Sequence, residues 1–212
     1  MQKTKIEWVD YTWNPVTGCL HGCDYCYAER ISNRFKRSFK PEFHEDRFKP
    51  NKLKGKNIFV CSMADLFGDW VPNVWILTVL DYISKDLKNN YFLLTKNPKR
   101  YKEFFFSKNC YIGFSASNQE DYDKRKNESA KVDFVSFEPL QGEIDILSFG
   151  FIPDWVIVGI ESGNRKNKTY VRNTWVYDLI DQCDCESIPI FVKDNVNLDK
   201  KLQQHIIDGE TL

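Results

Sequence analysis

The sequence predicts an α/β fold built from about six or seven βα units. Short apolar runs rich in Val, Ile and Phe recur along the chain, and they are continuous rather than alternating, which is typical of strands buried on both faces. Spacers with helical periodicity separate several of them, which favours parallel strands joined by crossover helices. The runs are 57–63, 91–95, 110–117, 132–140, 154–163 and 188–194.

The remaining elements complete this pattern. A short first strand is predicted near 11–17, and apolar residues three and four apart predict helices over 74–89 and 174–183. Such an order of elements forms either an open doubly wound sheet or a partial barrel. The sequence contains no second domain, low-complexity linker or repeat, so residues 1–212 are predicted to form a single domain.

The composition is that of an ordinary globular protein. Lys plus Arg and Asp plus Glu number 30 each, so the net charge says nothing about partners and any basic patch must be local. The sequence contains no long apolar run of a signal peptide or a membrane span. We therefore expect a cytoplasmic protein that does not enter membranes, and the sequence predicts no oligomeric state.

Polar residues follow the predicted strands. In sheets of parallel strands, chemistry gathers at the carboxyl ends of the strands. Because nearly every run ends in this way, these residues are candidates for a site, although strand ends are generally more polar than strands. They are Ser62, Asp65, Lys96, Ser115, Ser117, Asn118, Glu138, Glu161, Ser162, Lys193 and Asp194.

Three of the seven cysteines lie close together in the segment 17–30, which we call the cluster loop. Cys19, Cys23 and Cys26 have the spacing C-x3-C-x2-C, and clustered cysteines in a reducing compartment indicate metal or redox chemistry. A structural zinc ion would need a fourth ligand, such as His21 or His44. A four-iron cluster would instead keep one iron free for a substrate or cofactor.

The motif, with Tyr25 before its last cysteine, resembles the signature of the radical S-adenosylmethionine superfamily. The resemblance implies that Cys19, Cys23 and Cys26 hold a [4Fe–4S] cluster and that S-adenosylmethionine chelates the fourth iron. An electron from the cluster, originally supplied by an external donor, would cleave the cofactor to a 5′-deoxyadenosyl radical that abstracts hydrogen from a substrate. It also implies a partial (βα)6 barrel, possibly with a seventh strand.

Further blocks resemble a phage-associated, radical-SAM-like family without an assigned function. If this chain is encoded by a phage, the host cytoplasm is its expected location. Many members of that family have a longer gap between the first two cysteines, whereas this chain has the short gap. The blocks are WNPVTGC, SMADLF, LTKNP, EPL, WVIVGIESG and IFVK.

The resemblance also implies cofactor-binding residues. Ser62 and Asp65 would accept hydrogen bonds from the methionyl amine, although Asp65 could instead cap a helix. Residues after the fourth strand would contact the ribose, and residues after the sixth would line the adenosine pocket, where Glu161 could instead pair structurally. The first group is Ser115, Ser117 and Asn118, and the second is Gly159, Glu161 and Gly163.

Glu138 and Lys193 are the candidate catalytic residues. Each follows a predicted buried strand, and both could project into the mouth of the barrel. One could orient the substrate or move a proton after the radical step. A buried carboxylate or ammonium group is costly without a partner, so they could instead pair with each other or with Lys96.

Residues 30–56, which we call the basic aromatic segment, contain ten Lys or Arg, three Asp or Glu and four Phe. Cations suit phosphates and aromatic rings suit bases, so a nucleic acid or nucleotide is the predicted substrate. Residues 96–108 are similarly basic and aromatic. A peptide or small metabolite remains an alternative substrate, and the phenylalanines could simply pack a helix.

Two other functions remain open on the sequence. The same cysteines and basic residues could form a zinc-bearing nucleic-acid-binding module without catalysis. A barrel that keeps its cluster only for structure is the second alternative.

Overall fold

The computed structural model describes residues 1–129, 132–148, 151–162 and 165–206. Their contacts divide the chain into two compact units, Met1–Ile112 and Gly113–Leu212. The single domain therefore stays a prediction. The chain has the predicted mixed α/β architecture with many parallel strands, and the described residues form no closed barrel.

Unit 1 (Met1–Ile112) is built around parallel strands. Strand β1 pairs antiparallel with β2, β2 pairs parallel with β5, and β5 pairs parallel with β6, while β3 and β4 form a separate antiparallel pair. Its elements are β1 (Gln2–Lys3), β2 (Tyr11–Trp13), β3 (Val16–Thr17), α1 (Tyr27–Arg34), β4 (Glu42–Phe43), β5 (Asn57–Val60), α2 (Asn73–Lys85), β6 (Asn90–Thr95) and the start of β7 (Cys110–Ser115).

Unit 2 (Gly113–Leu212) continues β7 and adds three strands. Strands β7 and β8, β8 and β9, and β9 and β10 all pair in parallel. Every residue of β8, β9 and β10 is buried, which agrees with their continuous apolar sequences. The further elements are α3 (Gln119–Glu128), β8 (Phe134–Phe137), β9 (Trp155–Val158), α4 (Asn173–Cys185) and β10 (Ile190–Val192).

Two short strands, β1 and β4, were not predicted from the sequence. The other described strands lie within the predicted runs or extend one residue beyond them. Strand β6 is followed by a 3-10 helix, Pro98–Glu103, with Pro98 at its first turn. In the described ranges, no helix is long and apolar enough to cross a membrane.

The phenylalanines of the basic aromatic segment do not share one environment. Phe43 stacks on Trp75 with ring centroids 5.5 Å apart, and Phe48 packs edge-to-face on Trp13 at 5.3 Å. These two rings therefore pack the basic aromatic segment onto α2 and β2. Packing was the alternative to contact with bases for these phenylalanines. Phe35 is 60% exposed, and the guanidinium groups of Arg34 and Arg37 lie against its ring.

Candidate cluster site and a buried ion pair

The cluster loop is held by its backbone. The Gly18 N–H donates to Met63 O at 3.0 Å, and the Cys19 N–H donates to Phe39 O at 3.2 Å. Gly18 has φ +84°, and a Cβ there would lie 2.1 Å from Lys40 O, so only glycine fits. The loop is thereby fixed between the end of β5 and the segment before β4.

All three motif cysteines are partly exposed free thiols. Cys26 caps α1, its sulfur accepting the Glu29 N–H at 3.4 Å, and its own N–H donates to Cys23 O at 3.0 Å. Burial, together with negative charge on Asp65, Cys23 and Cys26, raises the pKa of Cys19 to about 11, although a hydrogen bond from the His21 backbone acts in the opposite direction. The three cysteines thus lie within eight residues of one anchored loop, and each keeps part of its surface accessible.

Lys96 lies against this group. Its Nζ donates to Cys23 Sγ at 3.1 Å and to the Tyr25 hydroxyl at 2.5 Å, and it stands 4.5 Å from the centre of the Tyr25 ring. Burial alone would lower the pKa of Lys96, but Tyr25 and Cys23 raise it above its usual value. Lys96 was predicted as a candidate site residue at a strand end and as a possible partner of Glu138 or Lys193, but its contact with Cys23 was not predicted.

Asp65 joins the loop to β6. It is 6% exposed, and its carboxylate accepts hydrogen bonds from His21 Nε2 at 2.7 Å and Thr95 Oγ1 at 2.7 Å. The Lys96 and Phe67 N–H groups donate to it at 2.9 and 3.0 Å. Its role towards a methionyl amine stays a prediction, and the structure adds that both oxygens already have protein donors.

Ser62, the other residue predicted for the amine, lies just beyond β5. Its hydroxyl donates to Asn14 Oδ1 at 3.2 Å, and the Met63 N–H donates to the same oxygen at 3.1 Å. Ser62 and Asp65 therefore both belong to the turn that holds the cluster loop in unit 1.

The donor set fits an iron–sulfur cluster. Thiolates are the usual ligands of such clusters, and each would bind a different iron, so the sulfurs need not surround one point. Within the described ranges, no three His, Cys, Asp or Glu side chains are arranged to hold a single ion. His21 is bonded to Asp65, and His44 Nε2 lies 2.8 Å from Thr17 Oγ1, so neither predicted fourth zinc ligand joins the thiols.

Unit 2 contains the residues predicted for the ribose. Ser115 ends β7, and both Ser115 and Ser117 are buried. Asn118 is the N-cap of α3, where its side-chain oxygen accepts the Asp121 N–H at 2.9 Å. Asn118 therefore stabilises the start of α3. Contact of Ser115, Ser117 and Asn118 with a ribose remains a prediction.

Glu138 and Lys193 form an ion pair in unit 2. Lys193 Nζ donates to Glu138 Oε1, and both side chains are partly buried. Gly159 makes room for this pair, since a Cβ there would lie 2.8 Å from Lys193 Cδ and 3.3 Å from Glu138 Cδ. The pairing considered as an alternative is thus observed, and a catalytic role for either residue stays a prediction.

Glu161 is also paired. Its buried carboxylate accepts from Arg165 Nε at 2.9 Å and from Arg165 Nη2 at 2.8 Å. The sequence analysis considered such a pairing as an alternative to contact with adenosine. The place of Glu161 in the adenosine pocket therefore stays a prediction. Gly163, predicted for the same pocket, lies outside the described residues.

The contact of Gly159 with the ion pair leads to a first prediction. Gly159→Ala should lower the free energy of unfolding by about 1–3 kcal/mol, because the new methyl group must displace Lys193 from a packed position. Gly142→Ala is the matched control, since nothing lies within 4 Å of a Cβ at that position. Urea unfolding of both variants measures the difference, and equal stability would contradict the packing at Gly159.

Comparisons with known proteins cover nearly the whole chain. One family model, described as protein of unknown function (DUF5131), matches residues 3–211. Two solved structures are similar, one titled spore photoproduct lyase complexed with dinucleoside spore photoproduct and one of a cysteine-to-serine mutant of that lyase. Each has a TM-score of 0.54 and 11% identity, over 90% of this chain and 78% of the other. No curated protein matches the chain.

Proposed function

Since this chain belongs to the DUF5131 family, we propose its function from its site: it is a radical S-adenosylmethionine enzyme. The observation that carries the proposal is a group of three partly exposed thiols on one anchored glycine loop, with the charged Lys96 against Cys23. When bound there, a [4Fe–4S] cluster supplies the electron that cleaves S-adenosylmethionine to a 5′-deoxyadenosyl radical.

The residues of the chain provide the setting for this chemistry. Cys19, Cys23 and Cys26 would hold the cluster, and Lys96 would stabilise negative charge on the Cys23 sulfur, which it contacts. Asp65 fixes the loop through His21 and the strand end through the Lys96 N–H. The similarity in fold to spore photoproduct lyase, a radical S-adenosylmethionine enzyme, supports this class and the partial barrel.

A nucleic acid or nucleotide is the proposed substrate. The side chain of Phe105 is 99% exposed in a segment that also carries Lys99, Lys102 and Lys108, and such a ring among cations can stack on a base. One of the similar structures holds a dinucleoside photoproduct, which is a nucleic-acid fragment. The phage association rests on the sequence alone.

The test is cofactor cleavage. The protein is reconstituted anaerobically with iron and sulfide, reduced with dithionite and given S-adenosylmethionine, and 5′-deoxyadenosine is measured by chromatography. We expect product only when both dithionite and cofactor are present, and more of it with a single-stranded oligonucleotide. If one zinc ion copurifies and no 5′-deoxyadenosine forms, the proposed enzyme function is contradicted. That result would favour the zinc-bearing nucleic-acid-binding module. A four-iron cluster without product would favour the purely structural cluster.

A further inference from the structure

Each of the three motif sulfurs accepts a hydrogen bond from the chain, but the donors differ in charge. At Cys19 and Cys26 the donor is a neutral backbone N–H. At Cys23 the donor is Nζ of Lys96, which lies 3.1 Å from the sulfur. A hydrogen bond from an ionised donor is roughly twice as strong as one between neutral groups. The contact at Cys23 therefore differs in kind from the other two.

The backbone around Lys96 is fixed on both sides. The Lys96 N–H donates to Asp65 Oδ2 at 2.9 Å, and the hydroxyl of Thr95 donates to the same carboxylate at 2.7 Å. The side chain of Asn97 donates to Phe67 O at 2.9 Å. The residues at the end of β6 are thus tied to the turn after β5, which holds the ammonium group against the cluster loop.

The side chain of Lys96 is also directed at the cluster loop. Its Nζ donates to the Tyr25 hydroxyl at 2.5 Å and lies 4.5 Å from the centre of that ring. Lysine is seldom withdrawn from water unless its charge is paired. The side-chain partners here are Tyr25 and Cys23 rather than a carboxylate, so a thiolate at Cys23 would supply the opposite charge.

We propose that Lys96 raises the reduction potential of a cluster held by Cys19, Cys23 and Cys26. This inference rests on the proposed function, in which the cluster gains one electron before the cofactor is cleaved. Gain of an electron adds negative charge, and a nearby ammonium group stabilises the reduced form more than the oxidised form. No proton or atom is exchanged in that step. Lys96 acts through the Cys23 sulfur, so it is a positioning residue rather than a catalytic one.

The test is a redox titration of the reconstituted protein without S-adenosylmethionine. Dithionite supplies the electron, mediator dyes set the potential, and electron paramagnetic resonance follows the reduced cluster. Lys96→Met keeps an unbranched side chain of similar length and removes the charge. We expect it to lower the equilibrium constant for one-electron reduction at least about tenfold, which is a shift of about 59 mV to lower potential.

Two further variants separate the charge from the hydrogen bond. Lys96→Gln keeps a donor without a charge and should lower the potential in the same direction, whereas Lys96→Arg keeps the charge and should stay near the wild type. If Lys96→Met held too little iron for a titration, these two variants would decide the same point. Lys99→Met is the matched control, since Lys99 pairs with Asp69 at the surface and its loss should leave the potential unchanged.

The outcomes separate this inference from the proposed function. If the Lys96 variants kept the wild-type potential while the wild type formed 5′-deoxyadenosine, only the inference would be wrong. An unchanged potential with weaker binding of S-adenosylmethionine would make Lys96 a contact of the cofactor instead. If the wild type held a four-iron cluster but formed no 5′-deoxyadenosine, the proposed function would fail, and the titration would still test Lys96. A wild type without an iron–sulfur cluster would overturn both.

Discussion

Cys23→Ala should abolish formation of 5′-deoxyadenosine and most of the iron–sulfur absorbance. The variant removes the sulfur that Lys96 contacts at 3.1 Å and leaves two of the three thiols. Loss of a hydrogen-bond partner behind a metal ligand costs about 10–100-fold in metal affinity or activity, so loss of the ligand itself should exceed about 100-fold. Reconstituted wild type should contain about four irons per chain, and the variant clearly fewer.

The matched control for this loss is Cys185→Ala. Cys185 is an exposed free thiol at the end of α4, so its loss should leave iron content and product formation unchanged. Circular dichroism of both variants should match the wild type, because Cys23 is partly exposed and its thiol contributes little to packing. A Cys23→Ala protein that still formed the cluster and the product would contradict the assignment of the three cysteines.

The strands could be predicted because continuous burial leaves a direct signal in the sequence. Residues 132–140 read as a buried run, and β8 lies inside it with all four residues buried. Strand ends were harder to place. Run 57–63 ends as β5 at Val60, because Cys61 turns the chain with φ +58° while its N–H donates to Trp13 O. No local sequence pattern indicates that turn.

The cluster loop could be recognised because its three cysteines are close in sequence, whereas its support could not. Lys96 and Cys23 are 73 positions apart, and their contact depends on where β6 ends. Likewise His21 was considered as a zinc ligand, since the spacing of a histidine within a cysteine loop does not reveal its partner. Its bond to Asp65 exists because the turn after β5 places that carboxylate under the loop. Polar strand-end residues were the available signal, and they identified Asp65 without its partners.

Asp65→Asn should lower the free energy of unfolding by about 1–3 kcal/mol, the usual cost of leaving a buried donor without an acceptor. Asp65 accepts four hydrogen bonds, and an amide has only one accepting oxygen. Its NH2 group would face a backbone N–H or a ring N–H, which leaves buried donors without acceptors. Urea unfolding at neutral pH measures this difference.

The difference in the free energy of unfolding between wild type and Asp65→Asn should depend on pH. Burial would raise the pKa of Asp65, but hydrogen bonds from His21, the Lys96 backbone and Thr95 lower it below its usual value. A carboxyl with a lowered pKa in the folded protein contributes stability above its unfolded pKa and loses it as the pH falls through the folded value. The stability gap between wild type and Asp65→Asn should therefore narrow below about pH 4.

Asp69→Asn is the control for the charge change itself. Asp69 is exposed and accepts hydrogen bonds from the side chains of Asn97 and Lys99, and an asparagine keeps one accepting oxygen, so its replacement should change stability by no more than about 0.5 kcal/mol. If Asp65→Asn and Asp69→Asn lost similar amounts of stability, the hydrogen bonds around the buried Asp65 would not have the predicted importance. If Asp65→Asn kept wild-type stability and cluster content but lost binding of S-adenosylmethionine, the carboxylate would serve the methionyl amine, as the sequence predicted. A parallel loss of stability and cluster would instead identify Asp65 as the residue that holds His21 and the Lys96 backbone in place around the three thiols.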